Sequence, residues 1–279
     1  MSILLTGASG FIGSHIDAAL RASGYTVTGM SRRTGCDYRE LTDTTAWLPH
    51  LDGIDAVINS VGIISEMEPG DFEYLHHHAP AALFRACELA GIRRVIQISA
   101  LGADASATTP YHRSKLAADE VLRGCSLDWF ILRPSLVYGA GSRSMALFER
   151  LASLPVIPLV SGGRQMLQPV HIDDLVELVL NCLSSARSRI TLDVVGAKPV
   201  CLKDWLSLIR CAAGKREARV LPVPYVLGLA ASYISRYFSP LVQPDNLRML
   251  QAGNTADPSP VAVMLGHMPV DIETGWKRR

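Results

Sequence analysis

Six cysteines are scattered along the chain without a C-x-x-C pair, which leaves neither a disulfide framework nor zinc-site spacing. An excess of one charge is also missing. Its 27 Lys and Arg stand against 26 Asp and Glu, a net charge of +1, so no global field draws nucleic acid or an anionic membrane surface. No uncharged apolar run reaches the roughly 20 residues that a spanning helix needs. The longest candidate, Val220 to Ser235, is broken by Pro222, Pro224 and Gly228 and predicts a buried helix, with docking on a membrane or partner as the alternative. No secretory leader is expected before the first apolar run. Together with reduced cysteines, this predicts a cytoplasmic protein. Internal repeats and low-complexity segments are absent too.

What is present begins at Ile3. A short apolar run (Ile3 to Leu5) turns into a loop carrying Gly7, Gly10 and Gly13, and an amphipathic stretch, Phe11 to Ala22, follows. Strand, tight glycine turn and helix is the context in which such spacing cradles a pyrophosphate. Gly7 permits the turn, Gly10 lets phosphate approach the backbone, and Gly13 lets the helix pack on the strand. Ser9, Phe11 and Ile12 complete the turn, and the free N–H groups at the helix start face the phosphates. Further short apolar runs, near Val27 to Met30, Cys36, Ala56 to Asn59, Val95 to Ser99 and Trp129 to Arg133, alternate with helices at Thr44 to Leu51, Phe72 to Ala90 and Tyr111 to Arg123. This predicts an α/β fold with a doubly wound parallel sheet, a Rossmann core over 1–138. Residues 139–279 predict a small C-terminal α/β lid, with 170–195 returning to the core. Within it, Met145 to Leu154, Val170 to Leu183 and Leu202 to Ala213 read as helices, Pro155 to Gly163 as irregular, Ile190 to Val194 as a strand, and the tail from Leu221 as largely helical.

The second strand ends without the acid that would bind an unphosphorylated ribose. Ser31, Arg32 and Arg33 stand there instead, and two guanidinium groups suit a 2′-phosphate. The expected cofactor is NADP(H), with NAD(H) second. Asp37 and Tyr38 are placed at the adenine rim, and Asn59, Ser60, Val61 and Gly62 beside the pyrophosphate and ribose.

Tyr111 and Lys115 lie one helical turn apart and share a face. A phenol with an ordinary pKa near ~10 becomes a useful acid or base when a cation stabilises its anion, which Lys115 can supply while also binding the cofactor ribose. Ser99 ends the fifth apolar run and can hold a substrate oxygen. The three are the expected catalytic set for hydride transfer to or from a carbonyl or alcohol. The consecutive histidines His76, His77 and His78 point in different directions on a helix, so no metal site is expected.

Together these residues resemble the short-chain dehydrogenase/reductase superfamily, in its extended or atypical, NAD(P)-dependent epimerase/dehydratase-like branch. Residues 6–13 match its T-G-x-x-G-x-x-G turn, and Ser99, Tyr111 and Lys115 match its catalytic positions. Residues 133–139 are similar to its segment after the sixth strand, which implies that Pro134 and Val137 lie against the nicotinamide. Residues 168–174 are similar to its entry into the returning helix. Residues 61–64, 98–103 and 111–115 most resemble the group containing the NADPH-binding accessory subunit of respiratory complex I. The resemblance implies an oxidoreductase. It leaves open a catalytically silent accessory or assembly protein, associated with a membrane or respiratory complex, and a nucleotide-sugar epimerase or dehydratase. His76 stands where the family often has an asparagine that supports the catalytic lysine. A small, rather apolar substrate and a monomer or homodimer complete the expectations.

Overall fold

Ile3, Leu4, Leu5, Ala56, Val57, Ile58, Val95, Ile96, Phe130, Ile131 and Leu132 are fully shielded from solvent, as continuous apolar runs must be in a sheet covered on both faces. The computed structural model describes residues 1–235 and 242–277. Through its first half β1 (Ser2–Thr6), α1 (Phe11–Ala22), β2 (Thr26–Met30), α2 (Thr44–Trp47), β3 (Ala56–Asn59), α3 (Ala79–Leu89), β4 (Arg94–Ile98), α4 (Pro110–Gly124) and β5 (Asp128–Pro134) alternate. Then come β6 (Val137–Tyr138), α5 (Arg143–Ser153), β7 (Val156–Val160), β8 (Met166–Leu167), β9 (Val170–His171), α6 (Ile172–Ser184), β10 (Ile190–Val194), β11 (Val200–Cys201), α7 (Leu202–Ala212) and β12 (Arg219–Val223). Helices α8 (Tyr225–Ser235), α9 (Pro244–Ala252), α10 (Ser259–Leu265) and α11 (Ile272–Lys277) follow.

Six strands form one parallel sheet in the order β10-β5-β4-β3-β1-β2. The chain leaves β1 to both sides, toward β2 and toward β3, so a crevice opens at the C-terminal ends of β1 and β3. Apolar residues of α1 and α6 cover one face of the sheet. Trp47, α3 and α4 cover the other. A third apolar cluster gathers Met145 and Ala152 of α5, Ile157 and Leu159 of β7, and Trp205, Leu206 and Ile209 of α7. Among the described residues no helix is long and apolar enough to cross a membrane.

Four local expectations are corrected. Val220 to Ser235 is not one buried helix: its first residues belong to β12, Pro224 separates them from α8, and Val226, Leu227 and Ile234 of α8 are exposed. No strand forms near Cys36. Ser31 and Thr34 close a capping box, Gly35 takes φ +80°, and the segment folds as two short 3-10 turns, Arg32–Thr34 and Tyr38–Glu40. Short polar residues satisfy backbone locally there and offer no apolar face to a sheet. The segment 155–163 is not irregular throughout, since β7 pairs in parallel with β12, more than fifty residues away. Such a partner has no local signature. The single helix expected over 72–90 is a π-helical stretch, Glu73–His78, leading into α3. Pro80 lacks the N–H that would bond to the His76 carbonyl, and the wider turn accommodates the lost bond.

Candidate functional site

The glycine turn sits at the crevice between β1 and β3. Gly7 has φ +73°, and a Cβ on it would lie 2.9 Å from the Ser60 backbone. A Cβ on Gly13 would lie 2.2 Å from the Gly7 carbonyl, so α1 packs directly on the turn. Gly10 differs. It has an extended conformation (φ −75°) and caps α1 without a side-chain hydrogen bond, and its Cβ would meet only the Gly7 carbonyl oxygen, at 3.2 Å. Ser9 and Gly10 are exposed, Phe11 and Ile12 half-buried, and Gly13 buried. The first N–H groups of α1 have no acceptor within the helix, and the turn beneath them carries no side chain at Gly10. This arrangement fits a bound anion such as a dinucleotide pyrophosphate.

Ser31 is buried, while Arg32 and Arg33 project into solvent directly after β2. Neither forms an ion pair with a described residue. Asp37 is exposed and caps the next turn by accepting from the Arg39 N–H at 3.0 Å. Tyr38 is not on a rim. It is 4% exposed and packs against Trp47 with ring centroids 5.6 Å apart. Asn59 is likewise buried. Its amide donates to Gln97 Oε1 at 2.6 Å, and its Oδ1 accepts from Thr6 Oγ1. It ties three strand ends together beneath the crevice, and Ser60 adds a 2.6 Å bond to the Thr6 carbonyl.

Pro110 opens α4, and Thr109 caps it by accepting from the His112 N–H at 3.3 Å. Tyr111 is therefore in the first turn, with Phe72 and His76 edge-on to its ring at 5.9 and 5.5 Å. Lys115, one turn on, is buried. Its Nζ donates to the carbonyls of Val61 (2.9 Å) and Ile98 (3.1 Å). Gly62 lies over it, since a Cβ there would be 3.2 Å from Nζ. Burial lowers the Lys115 ammonium to about 8, against the opposing pull of Asp119. Burial raises the Tyr111 phenol to about 12, so the shift of this phenol runs opposite to the expected lowering. A neutral phenol at this position is a proton donor.

His76 does not hydrogen-bond to Lys115. Its Nε2 accepts from the Ile63 N–H at 2.9 Å, which makes Nδ1 the donor, and Nδ1 gives its hydrogen to Ser114 Oγ at 3.0 Å. Ser114 in turn donates to the Tyr111 carbonyl at 2.9 Å. The neutral ring thus ties the loop after β3 to the turn holding Tyr111. Burial, then the nearby Lys115 charge, holds its pKa well below the ordinary value. His77 and His78 face outward with rings stacked at 4.7 Å. With Glu73 they bring donor atoms within 4.8 Å of one another, a proximity that divergence on an ordinary helix does not suggest.

Ser99, at the end of β4, is 4% exposed and donates to Asp119 Oδ2 at 2.8 Å. Arg133 Nε donates to the same oxygen at 3.2 Å. Asp119 and Arg133 are absent from the sequence-based set. Asp119 follows Tyr111 and Lys115 at the same helical spacing and could have been found by extending that face one turn. Its burial pushes the carboxyl up to about 6, although Ser99, Arg133 and Lys115 favour the ionised form. Pro134 and Val137 are buried just beyond Arg133, where Val137 pairs with Val170.

A model of the NAD dependent epimerase/dehydratase family matches residues 3–192. Ceramide reductase of Caulobacter vibrioides is 26% identical over 246 residues, covering 82% of this chain and 76% of that protein. Mouse NADH dehydrogenase [ubiquinone] 1 alpha subcomplex subunit 9, mitochondrial, is 30% identical over 128 residues, 46% of this chain but only 34% of the subunit. The fold is shared with MoeE5 in complex with UDP-glucuronic acid and NAD, at TM-score 0.72 and 22% identity, over 100% of this chain and 99% of the other. It is shared equally with Thermus thermophilus UDP-glucose 4-epimerase in complex with NAD, at TM-score 0.73 and 20% identity, over 99% and 96% of the two chains.

Proposed function

The chain belongs to the NAD dependent epimerase/dehydratase family, and from that premise we propose that it is an NADP(H)-dependent oxidoreductase reducing a rather apolar carbonyl compound. The observation that carries this reading is a half-buried Tyr111, its phenol raised by burial, one helical turn from a buried Lys115 that is bonded to the loop after β3. The dinucleotide would supply the hydride when bound; residues 1–138 would hold it. Backbone N–H groups at Gly10 to Gly13 would bind its pyrophosphate, and Arg32 and Arg33 the 2′-phosphate. The relatives with bound NAD are the reason to test both coenzymes. Tyr111 would give its phenol proton to the substrate oxygen, Ser99 would orient that oxygen, and Lys115, fixed by two carbonyls, would keep positive charge beside the phenol. Residues 139–279, less the 170–195 return, would close over the substrate. Ile64 and Met67, 38% and 77% exposed in the loop after β3, support an apolar ligand, as does the similarity to a protein named ceramide reductase.

The test is NADPH oxidation across a panel of apolar aldehydes and ketones. Tyr111→Phe should lower kcat by about 10²–10⁴-fold, with coenzyme binding retained. Undiminished turnover in that variant removes Tyr111 from the chemistry.

One observation favours a second reading, a dinucleotide-binding accessory protein without turnover. Ser99 and Lys115 both direct hydrogens inward, to Asp119 and to two backbone carbonyls, and a complex I subunit is among the relatives. Tight NADPH binding, no oxidation with any carbonyl, and co-purification with a larger assembly would establish it over the first.

A further inference from the structure

We propose that Asp119 is a positioning residue that sets where the Ser99 hydrogen points: held by the carboxylate when Asp119 is ionised, released toward the reacting oxygen when Asp119 is protonated. The proposal rests on the reading above, in which Ser99 orients the substrate oxygen.

Ser99 has a single hydroxyl hydrogen. Its Oγ stands 2.8 Å from Asp119 Oδ2, and an ionised carboxylate only accepts. The hydrogen is therefore committed inward, and Ser99 offers a substrate lone pairs alone. A carbonyl oxygen gaining negative charge needs a donor, not lone pairs. Proton uptake at Oδ2 reverses the pair: the new Oδ2–H donates to Ser99 Oγ, and Ser99 turns its own hydrogen outward. One proton is taken from solvent, and no covalent bond other than that O–H is made or broken.

The surroundings make this exchange accessible. Asp119 is fully buried. Its Oδ2 receives both Ser99 and Arg133, while its Oδ1 has no hydrogen-bond partner among the described residues. A buried carboxylate with one bare oxygen is costly in its charged form. The charged groups facing it are Lys115 from its own helix and Arg133 from β5, both favouring ionisation, with Ser99 donating from the end of β4. Asp104, in the loop after β4, and Asp193, on β10, face Arg133 in turn and share its positive charge. Burial prevails, and the carboxyl sits at about 6.

The test follows the ¹³Cγ resonance of Asp119 in protein labelled at aspartate, assigned with Asp119→Asn, from pH 4 to 9. The expected midpoint lies near 6. In Ser99→Ala, which removes a donor to the charged form, it should rise by about one pH unit. A midpoint unmoved in Ser99→Ala, or one in the usual carboxylate range, overturns the proposal. With any carbonyl substrate that turns over, kcat/KM should climb as pH falls through that midpoint, and Asp119→Asn should abolish this limb while coenzyme affinity stays unchanged. A limb that persists in Asp119→Asn also overturns it. Failure of every carbonyl would sink the reductase reading, yet the resonance arm would still decide whether Asp119 holds the Ser99 hydrogen.

Discussion

Tyr111 and His76 show how burial, more than neighbouring charge, sets protonation in this crevice. The phenol is raised by burial, which favours its neutral form. His76 is held neutral by the opposite consequence of the same burial, because the charged form of a base is its cation. A histidine whose folded pKa lies below its unfolded value near ~6.5 contributes stability that is full above that value and is lost as pH falls below it. His76→Asn, which cannot span both the Ile63 N–H and Ser114 Oγ, should be less stable than wild type at pH 7, by about 1–3 kcal/mol. Paired thermal melts should show the gap narrowing from pH 7 to pH 5. A constant gap would place the neutral ring outside the stability balance. At the same scale, Arg32 and Arg33 stand exposed, unpaired with any described acid, so replacing both by Ala costs the fold little. NADPH affinity should fall at least tenfold, the loss of one charged hydrogen bond of about 1.5–3 kcal/mol, with NADH affinity unchanged. Equal effects on both coenzymes in a titration would refute the 2′-phosphate role.

The elements divide sharply into those legible in sequence and those not. The glycine turn, α4 with Tyr111 and Lys115 on one face, and the parallel strands are legible because their signals are local: spacing, apolar runs and caps. Tyr38 reads wrongly as an adenine-rim residue, and the inward bonds of Asn59 go unread, because their positions after β2 and at the end of β3 say nothing about which way each side chain turns. One fills the core beside Trp47 and the other bonds between strand ends. β7 and β12 escape notice because each is a strand only through the other, and the π-helical stretch because its cause, Pro80, lies after it. The glycines give an element-scale prediction. Gly13→Ala would put a methyl 2.2 Å from the Gly7 carbonyl oxygen and should cost about 1–3 kcal/mol or more, seen as a lowered melting temperature. Gly10→Ala meets only one atom, at 3.2 Å, so the fold should hold while dinucleotide binding drops. Equal melting losses in the two variants would contradict this division of roles.

For the molecule as a whole, the sheet order brings three separate stretches to one crevice: the turn after β1, the loop after β3 and the start of α4. Lys115 joins the last two physically through the Val61 carbonyl, and His76 joins them again through Ile63 and Ser114. A dinucleotide laid along this crevice would bind the folded form alone. At a hundred times its dissociation constant it should add about 2.7 kcal/mol of stability, so the melting temperature should rise with NADPH. The most direct measurement is a calorimetric titration of NADPH and NADH into wild type and Gly10→Ala. Saturable binding to wild type is expected, tighter for NADPH, with at least tenfold weaker binding to a folded Gly10→Ala. No heat with either coenzyme, or equal binding by the two proteins, would contradict this expectation.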